Sequence, residues 1–243
     1  MKRQNLVIII VFLVLFFDQA LKLWVKGHMC LNEKISILGD WFVLRFVENN
    51  GMAFGMELGG AWGKLALTSF RVVAVCLLVY YISTLIKNKM PKLMCASFAL
   101  ILAGAVGNIL DSMFYGLLFS ESGVSYHGGS CNSPAVFMPV TEGYAGFMFG
   151  KVVDMFHAPM LVGVFPNWVP IWGGQDYEFF RPVFNIADAA ISIGVFFLII
   201  FNKKFFGNLT DEAEDDNKTT LNAADVKNEL PKADNNDAVG IAE

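Results

Sequence analysis

The chain has 243 residues, 55% of them hydrophobic and only 16% charged, with 23 Phe and a mean hydropathy of +0.51. A water-soluble domain this apolar would expose more hydrophobic surface than solvent tolerates, so the composition excludes one and points to a membrane protein. The formal net charge of −4 hides a split: from Asn208 onward there are 10 acidic and 3 basic side chains, which leaves residues 1–207 at a net +3.

Spanning about 30 Å of hydrocarbon takes about 20 mostly apolar helical residues. In chain order, the stretches at about 5–24, 65–86, 93–115 and 184–206 meet that requirement. Short basic flanks at Lys2 and Arg3, at Lys87, Lys89 and Lys92, and at Lys203 and Lys204 place both termini in the cytoplasm by the positive-inside rule. The first stretch lacks a small-x-small cleavage site after its apolar core, so it is expected to remain as a helix. Residues 35–58 contain β-branched and aromatic residues in partial alternation with an Asn-Asn-Gly turn signal, which predicts a short sheet at the membrane surface. The stretch 116–183 is rich in Gly, Ser and Pro and reads as a long outer loop, with Trp168 and Trp172 suited to the interface. Residues 208–243 have no aromatic side chain and no sustained apolar period, so they are expected to form a disordered, acidic, cytoplasmic tail. The expected fold is an all-α integral membrane protein. Four transmembrane helices in residues 1–207 carry a small β-rich extracytoplasmic cradle and a long outer loop between helices three and four.

Neither a CxxC pair nor HExxH occurs among the four cysteines and His28, His127 and His157, so no metal site is expected. Cys76 and Cys95 fall in apolar segments and read as core residues. Cys30 and Cys131 fall outside the expected spans, where a disulfide is permitted.

An ionisable group inside a span is costly and therefore marks a functional site. Asp18 lies toward the outer end of the first stretch, Asp111 near the outer end of the third, and Asp188 near the outer start of the fourth, so all three come out at a similar depth. Asp18 and Lys22 share a helix face at i,i+4 and form a candidate ion pair. Gly104, Gly107, Asn108 and Asp111 share another, and Asn185, Asp188 and Ser192 a third. Asn185 as an N-cap with Asp188 in the first helical turn is an alternative, purely local explanation of that pair. Two carboxylates held close can share a proton, the ionised one accepting a proton from water while the other polarises a carbonyl. On helix-end fields alone, Asp188 is expected to be the ionised partner and Asp111 to hold the proton.

These motifs resemble the lipoprotein signal peptidases (signal peptidase II). The resemblance spans nearly all of residues 1–207 in five ordered blocks: FDQALK (17–22), NNGMAFG (49–55), AGAVGNILDS (103–112), VVDMF (152–156) and PVFNIADAAISIG (182–194). It implies an intramembrane aspartyl endopeptidase that cuts diacylglyceryl-modified prolipoproteins just before the lipidated cysteine. The implied catalytic pair is Asp111 and Asp188, with Asp18, Lys22, Asn49, Gly51, Asn108, Asp154, Asn185 and Ala187 supporting or lining the site. It also implies no cofactor, prolipoprotein and membrane-lipid partners, no nucleic acid, a monomeric chain, and a bacterial inner-membrane location with the site near the outer face.

Two departures stand out. Ser112 occupies the position where the family has Arg, with Arg71 as a candidate substitute, and Asp111 and Asp154 lie 43 positions apart where the family has a short link. The insert, roughly 117–150, reads as an elaborated outer loop. A proton-coupled transporter would spread its carboxylates through the membrane depth, whereas these cluster on one side. A non-catalytic prolipoprotein-binding relative has only the missing Arg in its favour. Because the tail lacks any means of burying surface, a chain ending after Phe206 should keep its thermal unfolding midpoint in detergent and most of its activity; a large loss of either would show that the tail docks.

Overall fold

The computed structural model describes residues 1–39, 41–51, 60–125, 133–159, 161–179 and 182–201. The expected tail, the last residues of the expected fourth span and the MAFG part of the second sequence block lie outside the described residues. Residues Met1–Ile199 form one compact unit.

Among the described residues, three helices are long and apolar enough to cross a membrane: α1 (Arg3–His28), α2 (Gly60–Lys87) and α3, which runs from Lys92 to Leu118. A shorter apolar helix, α4 (Ile186–Ile200), follows. Large side chains along α1 (Phe12, Phe16), α2 (Phe70, Leu77, Tyr80) and α4 (Phe196, Ile199) point outward, as helices solvated by lipid require. Cys95 is buried as expected, but Cys76 is exposed on α2 and is not a core residue. The fourth helix begins two residues later than its hydropathy suggests, because Val183 and Phe184 are drawn into a strand and Asn185 caps the first turn.

The β-rich cradle expected beside the helices takes the form of a four-stranded antiparallel sheet. Its strands are β1 (Lys34–Leu38), β2 (Phe42–Asn49), β3 (Val152–His157) and β6 (Val183–Phe184), in the order β1-β2-β3-β6. Strands β4 (Leu161–Val164) and β5 (Asp176–Phe179) pair separately as a hairpin. Residues 34–49 behave as the alternation predicted, but half of the sheet comes from the stretch read as loop. Strand β3 is covered on both faces and so shows no alternation to detect.

The insert is also more than a projecting loop. Its Phe119 and Ala135, with Tyr115 of α3, join Val25 of α1, Met29 at the end of that helix and Leu44, Phe46, Val153 and Met155 of the sheet in one core. Bridges Leu31–Val124 and Phe119–Phe137 tie its described parts down, and Cys30 beside it is disulfide-bonded. Cys131 lies outside the described residues. Helix α3 passes through a π turn over Asp111–Tyr115, which releases carbonyls from the α-helical ladder. Gly150 N–H donates to Ser112 O at 2.8 Å, and Ala145 N–H donates to Gly116 O at 2.9 Å. A Cβ on Gly150 would lie 2.3 Å from Asp111 O, so this approach requires glycine.

Helix α4 packs on the small-residue face of α3. A Cβ on Gly104 would lie 2.2 Å from Ala187 O and 2.6 Å from Ile191 Cγ1. Gly104→Val should therefore lower stability by about 1–3 kcal/mol or more, read as thermal unfolding in detergent. Gly27→Ala, with nothing within 4 Å of the added Cβ, should leave the midpoint unchanged.

Candidate active site

Helix α1 turns Asp18, Lys22 and Lys26 inward at i, i+4 and i+8, and all three are almost completely buried. Lys22 Nζ lies 2.9 Å from Asp18 Oδ2 and 2.8 Å from Asp111 Oδ2, and donates to Asn108 Oδ1 at 3.0 Å. An ammonium has three donors, so every one has an acceptor. The Asp18–Lys22 pair anticipated from spacing is present, but it is one side of a larger junction between α1 and α3.

Asp111 is wholly buried, and both of its oxygens are engaged. Oδ1 accepts from Gln19 Nε2 at 3.0 Å, while Oδ2 pairs with Lys22 and accepts from Val153 N–H at 3.3 Å. The helix-end argument for a proton on Asp111 fails here, because α3 continues to Leu118 and its terminal carbonyls lie two turns further on. All of these neighbours are donors, so Asp111 is bonded as a carboxylate.

At the start of α4, Asn185 Oδ1 accepts from Asp188 N–H at 2.9 Å, and Asp188 Oδ2 accepts from Asn185 N–H at 3.3 Å. This is a reciprocal capping box, so the local explanation of that pair is correct as far as it goes. Asp18 Oδ1 satisfies a further first-turn donor, Ala187 N–H, at 2.9 Å. Ala187 itself is buried against Gly104 and Gly107, so it serves the helix contact. The capping leaves Asp188 Oδ1 free to accept from Asn108 Nδ2 at 2.8 Å, and Asp188 is half-buried, more open than Asp111.

Strand β3 delivers Asp154 to the same place. Its Oδ1 accepts from Asn185 Nδ2 at 2.7 Å, and its Oδ2 accepts from Asn49 Nδ2 at 3.3 Å. Burial and then the negative charge of Asp188 push its carboxyl up to about 7. Asn49 Oδ1 in turn accepts from Gly51 N–H at 2.8 Å, and Gly51 has φ +91°, a conformation that favours glycine. Arg71 Nη2 donates to Gly51 O at 2.6 Å, and its guanidinium lies in the field of both Asp188 and Asp154. Ser112 Oγ donates to Asn108 O at 3.0 Å and supplies no charge.

The ten residues singled out from the sequence thus fall in one connected group. Gln19 was missed. Its amide donates toward Asp18, Asp111 and Gly107 O, and its Oε1 accepts from Tyr115 Oη at 3.2 Å. Its signal was a polar side chain next to Asp18 and three residues before Lys22. A second buried cluster was missed as well. Lys26 pairs with Glu48 and donates to Ser122 Oγ at 3.0 Å, while Lys151 lies 3.2 Å from Glu48. Burial opposes the charge on Glu48, but Lys26 outweighs it and holds that carboxyl below its ordinary range.

The family described as signal peptidase (SPase) II matches residues 10–203 of the chain. The chain belongs to the signal peptidase II family. That family membership makes it an aspartyl-type peptidase of the membrane. It is 43% identical over 199 residues to a lipoprotein signal peptidase of Porphyromonas gingivalis, covering 82% of this chain and 83% of that one. It is 36% identical over 198 residues to a lipoprotein signal peptidase of Amoebophilus asiaticus, covering 80% and 76%. Its backbone is similar to that of a bacterial membrane enzyme solved in meso at 2.3 Å, with TM-score 0.51, 20% identity, and coverage of 83% and 90%, a likeness of fold.

In this signal peptidase II fold, removing the central cation leaves Asp18 and Asp111 facing each other without a counter-charge. Lys22→Met should cost about 3–5 kcal/mol of stability, measured by thermal unfolding in detergent. Adding Asp111→Asn should restore part of the loss; no restoration would mean that Lys22 acts by packing alone.

Proposed function

We propose that the chain removes the signal peptide from prolipoproteins whose cysteine carries diacylglycerol, cutting just before that cysteine in the plane of the membrane. Lipoprotein signal peptidase activity is what the family and the curated relatives carry. In this reading α4 is the fourth span, both termini are cytoplasmic, and the site lies near the outer face of the bacterial cytoplasmic membrane. Residues 1–207 form the working domain, the acidic tail stays outside it, and the chain acts as a monomer without nucleic acid or cofactor.

The reacting pair is Asp188 with Asp154. The sequence paired Asp188 with Asp111, but Asp111 has both oxygens committed to Lys22, Gln19 and Val153 N–H and no exposed surface. The observation that carries the choice of Asp154 is that Asn185 holds both carboxyls, its amide donating to Asp154 Oδ1 at 2.7 Å and its N–H to Asp188 Oδ2 at 3.3 Å; burial and then the charge of Asp188 push Asp154 up to about 7. Asp188 is half-buried and held by the Asn108 amide and the helix cap, so it is positioned to take a proton from an attacking water. Protonated Asp154 then donates to the scissile carbonyl oxygen and stabilises the charge that develops there. When the tetrahedral intermediate collapses, the proton on Asp188 passes to the leaving amine and one hydroxyl of the intermediate returns a proton to Asp154, which restores the pair. Arg71 and Asn49 hold the Gly51 turn over this pair, the segment that would face substrate.

The discriminating experiment incubates purified protein with a diacylglyceryl-modified precursor and an unmodified control, expecting cleavage of the first alone. Asp154→Asn and Asp188→Asn should each remove nearly all turnover while preserving expression. Asp111→Asn should lower stability and turnover yet leave a residual rate; complete loss in that variant alone, with Asp154→Asn active, would restore the Asp111–Asp188 pairing.

The pH dependence has a definite sign. Asp154 must be protonated to work, so kcat/KM should fall as pH rises through about 7, and the residual activity of Asp111→Asn should keep that same limb. For stability, the folded chain holds this proton more tightly than the unfolded one. Asp154 therefore costs stability progressively from about pH 4 up to about 7. Asp154→Asn should match or exceed the parent's unfolding midpoint at pH 8 and lose that advantage at pH 4.

A further inference from the structure

We propose that the β4–β5 hairpin is an interfacial anchor whose tip, formed by Trp168, Ile171 and Trp172, sits in the outer lipid leaflet beside the active site. The hairpin belongs to neither the helical bundle nor the four-stranded sheet. It leaves the sheet at His157 and returns at Val183, and those two residues pair with each other, so the excursion is closed at its base. That base lies at the outer end of the bundle. Strand β3 carries Asp154 three residues before His157, and α4 begins three residues after Val183. A four-residue strand covers about 13 Å, so the tip stays within reach of the headgroup zone surrounding the helices.

The chemistry of the tip fits lipid better than water. Residues 158–175 contain no Asp, Glu, Lys or Arg, while Asp176 follows at once. Trp168 is 80% and Ile171 85% exposed, with Val164 and Trp172 also open to the surroundings. Trp172 lies against Phe165 with ring centroids 6.2 Å apart, and Gly173 and Gly174 fold back by hydrogen bonds to Val169 O and Phe165 O, so the exposed rings stand on an ordered turn. A soluble loop would set charges among such rings to stay hydrated. Two indoles with N–H groups to spare and aliphatic neighbours match the headgroup boundary, where one end of the ring is wet and the other apolar. The bilayer is the one partner that three membrane-spanning helices guarantee beside this base. Anchored there, the hairpin would hold β3 and β6, and with them Asp154 and the cap of α4, at a fixed height over the membrane. The proposal rests on the outer-face topology given above but not on the reaction.

The test uses the full chain in nanodiscs of phosphatidylcholine and phosphatidylglycerol. The chain has five Trp, so the fluorescence lost on replacing Trp168→Phe and Trp172→Phe together isolates the tip. Both side chains are exposed, so the fold should survive the replacement, and unfolding midpoints verify it. That difference signal should be quenched at least twofold by lipids brominated near the top of the acyl chain and little by aqueous iodide. Strong iodide quenching with none from brominated lipid would overturn the anchor. Protection from iodide that develops only when a lipidated precursor is added would overturn it as well, and would make the tip a substrate contact. Because no cleavage is read, a failed assignment of the catalytic pair would leave this result unaffected.

Discussion

A lysine ammonium inside a helical bundle cannot remain charged in a dry interior without acceptors on every donor, and Lys22 meets that demand with groups from two helices. The rest of this end of the bundle follows from how those acceptors use their remaining valences. Asp18 uses its other oxygen to satisfy Ala187 N–H, so the first turn of α4 docks where the ion pair already is. Asn108 accepts from Lys22 with its oxygen and donates to Asp188 with its amide, carrying the arrangement on to the start of α4. Asp111 extends it in the other direction, to Val153 N–H in the sheet.

The sheet is therefore fixed to the bundle at a polar point as well as by its apolar face. Strand β3 runs between β2 and β6, and its Val153–Asp154 step supplies both a donor to Asp111 and a carboxyl to the Asn185 amide. Two neighbouring carboxylates, Asp111 and Asp154, thereby come to have opposite fates. One is saturated by donors around a cation; in the other, burial and then the negative charge of Asp188 push the carboxyl up to about 7.

The insert between α3 and β3 has a mechanical place in this scheme. Its return toward β3 runs along the π turn of α3, where Gly150 and Ala145 N–H take up released carbonyls. Its aromatic residues complete the core against α1 and the sheet. Lys26, Glu48, Ser122 and Lys151 join α1, β2 and both ends of the insert in a second buried network beside that of Lys22. A segment of this length would be a liability as a free loop; packed in this way, it braces the strand that carries Asp154.

Much of this was legible in the residues themselves. Apolar runs of sufficient length gave the three long helices, since length and hydropathy are local properties. The polar stripes on α1, α3 and α4 pointed to Asp18, Lys22, Asn108, Asp111, Asn185 and Asp188, since a charge in a span needs a reason to be there, whereas Asn49, Gly51, Asp154 and Ala187 came only with the family resemblance. The capping box at Asn185 and Asp188 was readable for the same cause: it is a contact between residues three apart. Which carboxylates face one another was not readable. Asp111 and Asp154 are both acidic residues in specific motifs, and only the position of Lys22 between Asp18 and Asp111, and of Asn185 beside Asp154, separates a carboxylate paired with a cation from one held by neutral amides. Strand β3 stayed hidden because a strand buried on both faces has no alternation, and the helix-end field at Asp111 was misjudged because α3 continues through a π turn that no periodicity announces. Sequence patterns report on neighbours along the chain, whereas the charge state of a buried carboxyl is set by neighbours across it.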